Sequence, residues 1–311
     1  MAVEKFLSWL RPKYGVLFEV TNACNLHCPF CFVIQKNRMK NEFIPLERFE
    51  QILRTYRPLI LQITGGEVSI HPHFIDLIKI ASKYAIRTQI SSNGLMLEQY
   101  IDDLIELPRK FAFGISLDAP NEVHDIIRNR KGLFKRVLET IKLFKKNRIP
   151  HSLHVVIFGK KDIPNLPEGN LHLVEKMLSF CQRYQLNANF QPYSPTQKEA
   201  RATLGKILLE SKSPYIINSI PYRKLLINGN WKTCRYNWTS ISIDARGYRL
   251  PTMPGNCFFC SDCAKCYYSC VWEASLMTST QFFQAVTGIV KPALSLYASN
   301  KESKYIKDIF K

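Results

Sequence analysis

Apolar residues recur along this chain in two rhythms, and the rhythms alternate. Short runs at 16–20, 59–64, 87–91, 111–117, 152–158 and 188–191 read as strands. Between them apolar residues repeat at three- and four-residue spacing, as in 46–54, 74–84 and 133–146, where Leu133, Val137, Ile141 and Phe144 share one helical face. Such alternation predicts an α/β fold with parallel strands and crossover helices. Six units build either an open doubly wound sheet or a partial barrel, and in both, ligands gather at the carboxyl ends of the strands. From about residue 230 the texture changes: Trp231, Gly247, Pro251, Pro254 and Gly255 punctuate short segments that read as a small metal-stabilised domain.

Composition narrows the class. The 311 residues are 46% hydrophobic, enough for one large α/β domain and a smaller appendage. No uncharged apolar run reaches the length of about 18 residues that a spanning helix needs. The nearest, 282–298, contains Lys291 and Pro292, and residues 1–11 lack the layout of a secretory signal. The cytoplasm is the expected compartment. The net charge of +18 comes from segments such as Arg128-Asn129-Arg130-Lys131 and 142–148. Solvated helix faces account for it; a nucleic-acid or anionic-membrane partner is the sharper alternative, although no RNA-binding module is legible. Phe282, Phe283, Val286, Ile289 and Val290 make one apolar helical face in the tail, and Phe6, Leu7, Trp9 and Leu10 make another beside Lys5 and Arg11. Both ends are expected to pack on the main domain. The alternative lays them on an anionic membrane surface.

Ten cysteines are many for a cytoplasmic chain, and nine of them fall in two clusters. Tight spacing without an export signal argues for metal rather than disulfides. Directly after the first strand, Thr21-Asn22-Ala23-Cys24-Asn25-Leu26-His27-Cys28-Pro29-Phe30-Cys31 carries the spacing C-x3-C-x2-C. Three thiolates on one loop can hold three irons of a cubane and leave the fourth open to a small molecule. A structural zinc site wants a closed set of four ligands, and His27 sits awkwardly between two cysteines for that role. Cys181 stands alone in a helical stretch and reads as a small buried hydrophobe. His71, His73, His151, His154 and His172 read as packing or surface residues.

This cysteine loop, with Phe30 as its aromatic residue and Gly65-Gly66-Glu67 at the end of the second strand, resembles the radical S-adenosylmethionine superfamily over residues 14–192. The resemblance implies a partial (β/α)6 TIM-like barrel. It implies a [4Fe–4S] cluster on Cys24, Cys28 and Cys31, whose open iron takes the amino and carboxylate groups of S-adenosylmethionine. It also implies an external one-electron donor such as ferredoxin or flavodoxin, and hydrogen abstraction by a 5′-deoxyadenosyl radical. Gly65, Gly66 and Glu67 are expected at the amino group, with glycines permitting close backbone approach. Ser91, Ser92 and Asn93 suit ribose hydroxyls, Ser116 and Asp118 close the fourth strand, and Arg128 offers a planar fork for the methionine carboxylate.

The second cluster reads Cys234, Gly247, then Cys257-x2-Cys260-x5-Cys266-x3-Cys270, with Cys263 besides. It is similar to the SPASM/twitch extension of such enzymes, with Thr252 where that pattern has a cysteine and no cysteine after Cys270. Six thiols do not give two cubanes four ligands each, so one auxiliary [4Fe–4S] cluster is expected, or two with open or non-cysteine ligation; zinc is the alternative. The expected division is an N-terminal helix (1–13), the partial barrel (14–228), the auxiliary cluster domain (229–275) and a helical tail (276–311). Enzymes with this extension often modify peptides or proteins. Only 23 residues precede Cys24, so a leader-binding domain is not expected there, which weakens a leader-peptide substrate. A lipid, a small molecule and RNA are the other substrate classes, and a non-catalytic iron–sulfur electron carrier is the remote one.

Overall fold

Strands form where the apolar runs place them: β1 Gly15–Thr21, β2 Ile60–Gly65, β3 Arg87–Ser92, β4 Phe111–Ser116, β5 His151–Ile157 and β6 Ala188–Pro192. The computed structural model describes residues 15–31, 34, 41–193, 198–229 and 240–250, with the strand backbones at 252–253 and 256–257. Helices Leu46–Tyr56, Phe74–Tyr84, Leu133–Lys146 and Val174–Tyr184 lie between successive strands. Each buries one apolar stripe; in Leu133–Lys146 it is Leu133, Val137, Ile141 and Phe144, the face that the spacing marks out.

The strand order is β6-β5-β4-β3-β2-β1, and neighbours pair in parallel. From β1 to β6 the order steps in one direction. Every right-handed crossover therefore delivers its helix to the same face. A doubly wound sheet would reverse direction at a switch point, so the sheet is that of a partial barrel.

The sheet does not end at β1. Strand β7, Ser240–Ile243, pairs in parallel with β1, and β8, Arg249–Leu250, returns antiparallel beside β7. Residues that the spacing of glycines and prolines set in the auxiliary segment thus extend the barrel sheet. A short antiparallel pair, Thr252–Met253 with Asn256–Cys257, follows. The expected N-terminal helix, the tail and the side chains of Cys234, Cys257, Cys260, Cys263, Cys266 and Cys270 lie outside the described residues. Among the described residues, no helix is long and apolar enough to cross a membrane.

Alternate strand residues face opposite sides, and here the sides differ in chemistry. Val16, Phe18, Leu61, Ile63, Ile90, Phe113, Ile115, Leu153, Val155 and Phe190 are buried in one core with the helices. The opposite face carries Glu19 beside Thr64, Gln62 beside Gln89, and Ser116, His154 and Asn189 in one row. A barrel interior filled by layers of branched apolar side chains would be a packed plug; this one is lined by hydrogen-bonding groups.

Candidate active site

The cysteine loop leaves the end of β1 and is held on both flanks. On one side Thr21 Oγ1 donates to the Glu42 carbonyl at 2.7 Å, and Asn22 Nδ2 donates to the Glu42 carboxylate at 2.6 Å. On the other side the Gly66 N–H donates to the Thr21 carbonyl and the Glu67 N–H to the Ala23 carbonyl, both at 2.8 Å. A Cβ at Gly65, whose φ is +136°, would stand 2.0 Å from the Thr21 oxygen, and one at Gly66 would stand 1.9 Å from the Ala23 oxygen. The close approach that requires these glycines is therefore made by the cysteine loop itself, not only by a ligand.

Cys28 is buried and Cys24 and Cys31 are half-buried. The Cys24 sulfur accepts a hydrogen bond from the Leu26 N–H at 3.4 Å. Burial pushes the Cys24 thiol up to about 12 and raises Cys28 as well, so iron would have to displace protons from both. Beside them, Nδ2 of Asn25 is buried without an acceptor among the described residues. An orphaned donor next to a cysteine fits a loop built around sulfide or ligand acceptors. Among the described residues no three His, Cys, Asp or Glu side chains group so as to hold a single metal ion; the three cysteines of the loop are free thiols.

Two buried carboxylates stand at the strand ends around this loop. Glu67 is 1% exposed. Its Oε1 accepts from the Ser69 N–H at 3.0 Å, Ser69 Oγ at 2.6 Å and Ser92 Oγ at 2.7 Å; its Oε2 accepts from the Asn93 N–H at 2.7 Å. Asn93 in turn donates through Nδ2 to Asn25 Oδ1 at 2.7 Å. Glu67 thus joins the ends of β2 and β3 to the cysteine loop.

Asp118 is also buried, and its partners are charged. Arg128 donates to it through Nε at 2.7 Å and Nη2 at 3.2 Å, and the Val156 N–H donates at 2.9 Å. Burial alone would raise the Asp118 pKa; the Arg128 charge outweighs it and holds the carboxyl well below the usual carboxylate range. The Asp118 N–H donates to Nδ1 of His124 at 3.1 Å, and burial lowers that histidine's pKa. Asn170 Nδ2 completes the junction through the carbonyls of Asp118 at 2.7 Å and Val156 at 2.9 Å.

Arg128, expected to offer its fork to a methionine carboxylate, gives two of its three nitrogens to Asp118. The guanidinium lies over the Phe30 ring, 5.3 Å from its centroid, and its charge offsets part of the rise that burial gives the Cys28 thiol. Phe30 packs on Phe158 at 4.8 Å and Tyr193 at 6.2 Å, so the loop's aromatic residue anchors it to the ends of β5 and β6.

Ser91 and Ser116 lie on the polar inner face, half-buried, where a ligand can reach them. His154 shares that face. Its ring lies against Gly114, where a Cβ would come within 2.2 Å, and burial pushes its pKa down to about 4. His71 and His151 are buried and bonded to backbone carbonyls, and Cys181 is buried in its helix, as expected. Sequence reasoning missed His124, Asn170, Asn25, Phe158 and Tyr193. Asn25 lies inside the C-x3-C loop but was given no role; the others belong to no spaced motif, and the one available signal was a histidine six residues after Asp118.

Residues 18–164 match the model of the Radical SAM superfamily. Those residues, just under half of the chain, carry a domain of that superfamily. Its cofactors are accordingly a [4Fe–4S] cluster and S-adenosylmethionine. Over 148 residues the chain is 32% identical to the antilisterial bacteriocin subtilosin biosynthesis protein AlbA of Bacillus subtilis, covering 46% of this chain and 33% of AlbA. Over 135 residues it is 31% identical to the sporulation killing factor maturation protein SkfB of the same organism, covering 42% of this chain and 33% of SkfB. The chain thus spans about a third of either relative. The fold is similar to that of Streptococcus suis SuiB bound to S-adenosylmethionine, with a TM-score of 0.63 and 15% identity over 87% of this chain and 69% of SuiB.

Proposed function

We propose that this radical S-adenosylmethionine enzyme modifies a peptide or protein side chain, with Cys24, Cys28 and Cys31 as the cluster ligands. The observation that carries the site assignment is the seating of Gly65-Gly66-Glu67 on the backbone of the cysteine loop, with 2.8 Å hydrogen bonds from Gly66 and Glu67. That contact brings three thiols and a rim of polar side chains to one end of the sheet. Bound there, the two cofactors supply a hydrogen-abstracting 5′-deoxyadenosyl radical. Ser91, Asn93 and Ser116 provide hydroxyl and amide contacts for S-adenosylmethionine, and Glu67 and Asp118 hold the rim in place. The polar inner face favours a substrate group that forms hydrogen bonds. A peptide is favoured because AlbA is named for bacteriocin biosynthesis and SkfB for maturation of a killing factor. Cys234, Cys257, Cys260, Cys263, Cys266 and Cys270 are proposed to hold an auxiliary [4Fe–4S] cluster, and a ferredoxin or flavodoxin to deliver the electron.

Anaerobically reconstituted full chain, reduced with dithionite, is expected to convert S-adenosylmethionine to 5′-deoxyadenosine. The triple variant Cys24→Ala, Cys28→Ala, Cys31→Ala should make none while still containing iron at the second cluster. Undiminished cleavage by the triple variant would overturn the assignment.

A further inference from the structure

Asp118 and Arg128 were expected among the residues that meet S-adenosylmethionine, yet their geometry ties them to each other and to the cysteine loop. The Arg128 guanidinium is held by the Asp118 carboxylate, at 2.7 and 3.2 Å, and is stacked 5.3 Å over Phe30, which stands between Cys28 and Cys31 in the cysteine loop; its charge offsets part of the rise that burial gives the Cys28 thiol. Its side chain is 11% exposed and that of Asp118 is 0%. A planar cation locked by a fork and a ring cannot swing toward a second anion without leaving Asp118 unpaired in the core. Asp118 itself is fixed from behind by the Val156 N–H at 2.9 Å and lies 3.6 Å from His124 Nδ1, so the pair is oriented and not merely adjacent.

We propose that Arg128, held by Asp118 against Phe30 of the cysteine loop, is a buried cation that raises the reduction potential of the radical cluster. The inference rests on the cluster assignment of the proposed function and goes beyond it by giving Arg128 a positioning role independent of S-adenosylmethionine. One-electron reduction adds a negative charge to the cluster. A desolvated cation packed on the cluster loop favours that state, and a buried carboxylate behind the cation partly cancels it; local charge is a recognised lever on such potentials. The two side chains should therefore act with opposite signs.

The test is a redox titration of the full-length reconstituted protein, followed by electron paramagnetic resonance and performed without S-adenosylmethionine, so that a carboxylate-binding role contributes nothing. The second-cluster signal, recorded in the Cys24, Cys28, Cys31 triple variant, is subtracted. Arg128→Gln is expected to lower the reduced-to-oxidised ratio of the radical cluster about tenfold at fixed potential, which is about 59 mV more negative for one electron. Asp118→Asn should move it in the positive direction, and Arg128→Lys, which keeps the charge, should stay near the wild type. A general loosening of the site would not give opposite signs. Unchanged midpoints, or shifts of the same sign in Arg128→Gln and Asp118→Asn, would overturn the inference. If Arg128→Gln fails to hold a cluster, Asp118→Asn and Arg128→Lys decide: a positive shift in the first with none in the second supports it, and any other pattern overturns it. Wild-type protein that shows no reducible cluster at all overturns the cluster assignment instead.

Discussion

The two buried carboxylates at the rim solve one problem by opposite means. Glu67 ties β2 and β3 to the cysteine loop with uncharged donors, three on Oε1 and one on Oε2. Asp118 ties β4 and β5 with an arginine fork, a backbone N–H and a nearby histidine. The uncharged tie distributes the cost of burying a carboxylate over several modest bonds, each replaceable. The charged tie concentrates it in one partner, so removing either member strands the other. The half of the rim that packs on Phe30 is thus the brittle half, and the half that supports the loop backbone is the tolerant one.

That contrast predicts a ranking. Asp118→Ala leaves the Arg128 guanidinium buried without its counter-charge and should cost about 3–5 kcal/mol in chemical denaturation; a loss below about 1 kcal/mol would mean that Arg128 finds another partner and the contrast fails. Gly66→Ala comes next. Its Cβ would stand 1.9 Å from the Ala23 oxygen, so the loop must move, at about 2–3 kcal/mol with weakened iron–sulfur absorbance after reconstitution. Normal iron uptake by that variant would show that the glycine pair does not seat the loop.

The charged half is also where pH acts. Asp118 has a depressed folded pKa, so its contribution is present above the ordinary carboxylate range and is lost only as pH falls through the depressed value. His124 and His154 are lowered, His154 to about 4. The unfolded chain binds protons at these histidines first, so stability should fall as pH drops below about 6.5, at up to roughly 1.4 kcal/mol per pH unit for each. Thermal unfolding between pH 7 and 5 checks this, and a flat profile would refute it. The smallest effect is expected at Glu67→Gln. The amide oxygen can keep the three donors of Oε1 and lose only the Asn93 N–H, at about 1 kcal/mol. A cost equal to that of Asp118→Ala would erase the distinction between the two halves.

Several features were legible in the residues alone. The six strands, the amphipathic helices and the loop Cys24-x3-Cys28-x2-Cys31 followed by Gly65-Gly66-Glu67 are local patterns, set by side-chain periodicity and by spacing along the chain. Cys181 was legible for the same reason, as an apolar position on a helical stripe. Other features depend on which segments meet, and spacing carries no such information. Nothing near Ser240 indicated that β7 would join β1 across the sheet, because a four-residue strand among turn residues has too little periodicity to declare itself. The one-directional strand order, which separates a partial barrel from a doubly wound sheet, exists only once the strands are paired. Arg128 shows the division most sharply. Its residue type identified a fork for an anion; the fold decided that Asp118 takes that fork and that the guanidinium lies over Phe30 of the cysteine loop, because a buried cation must be neutralised within the hydrogen-bond distance that tertiary packing provides.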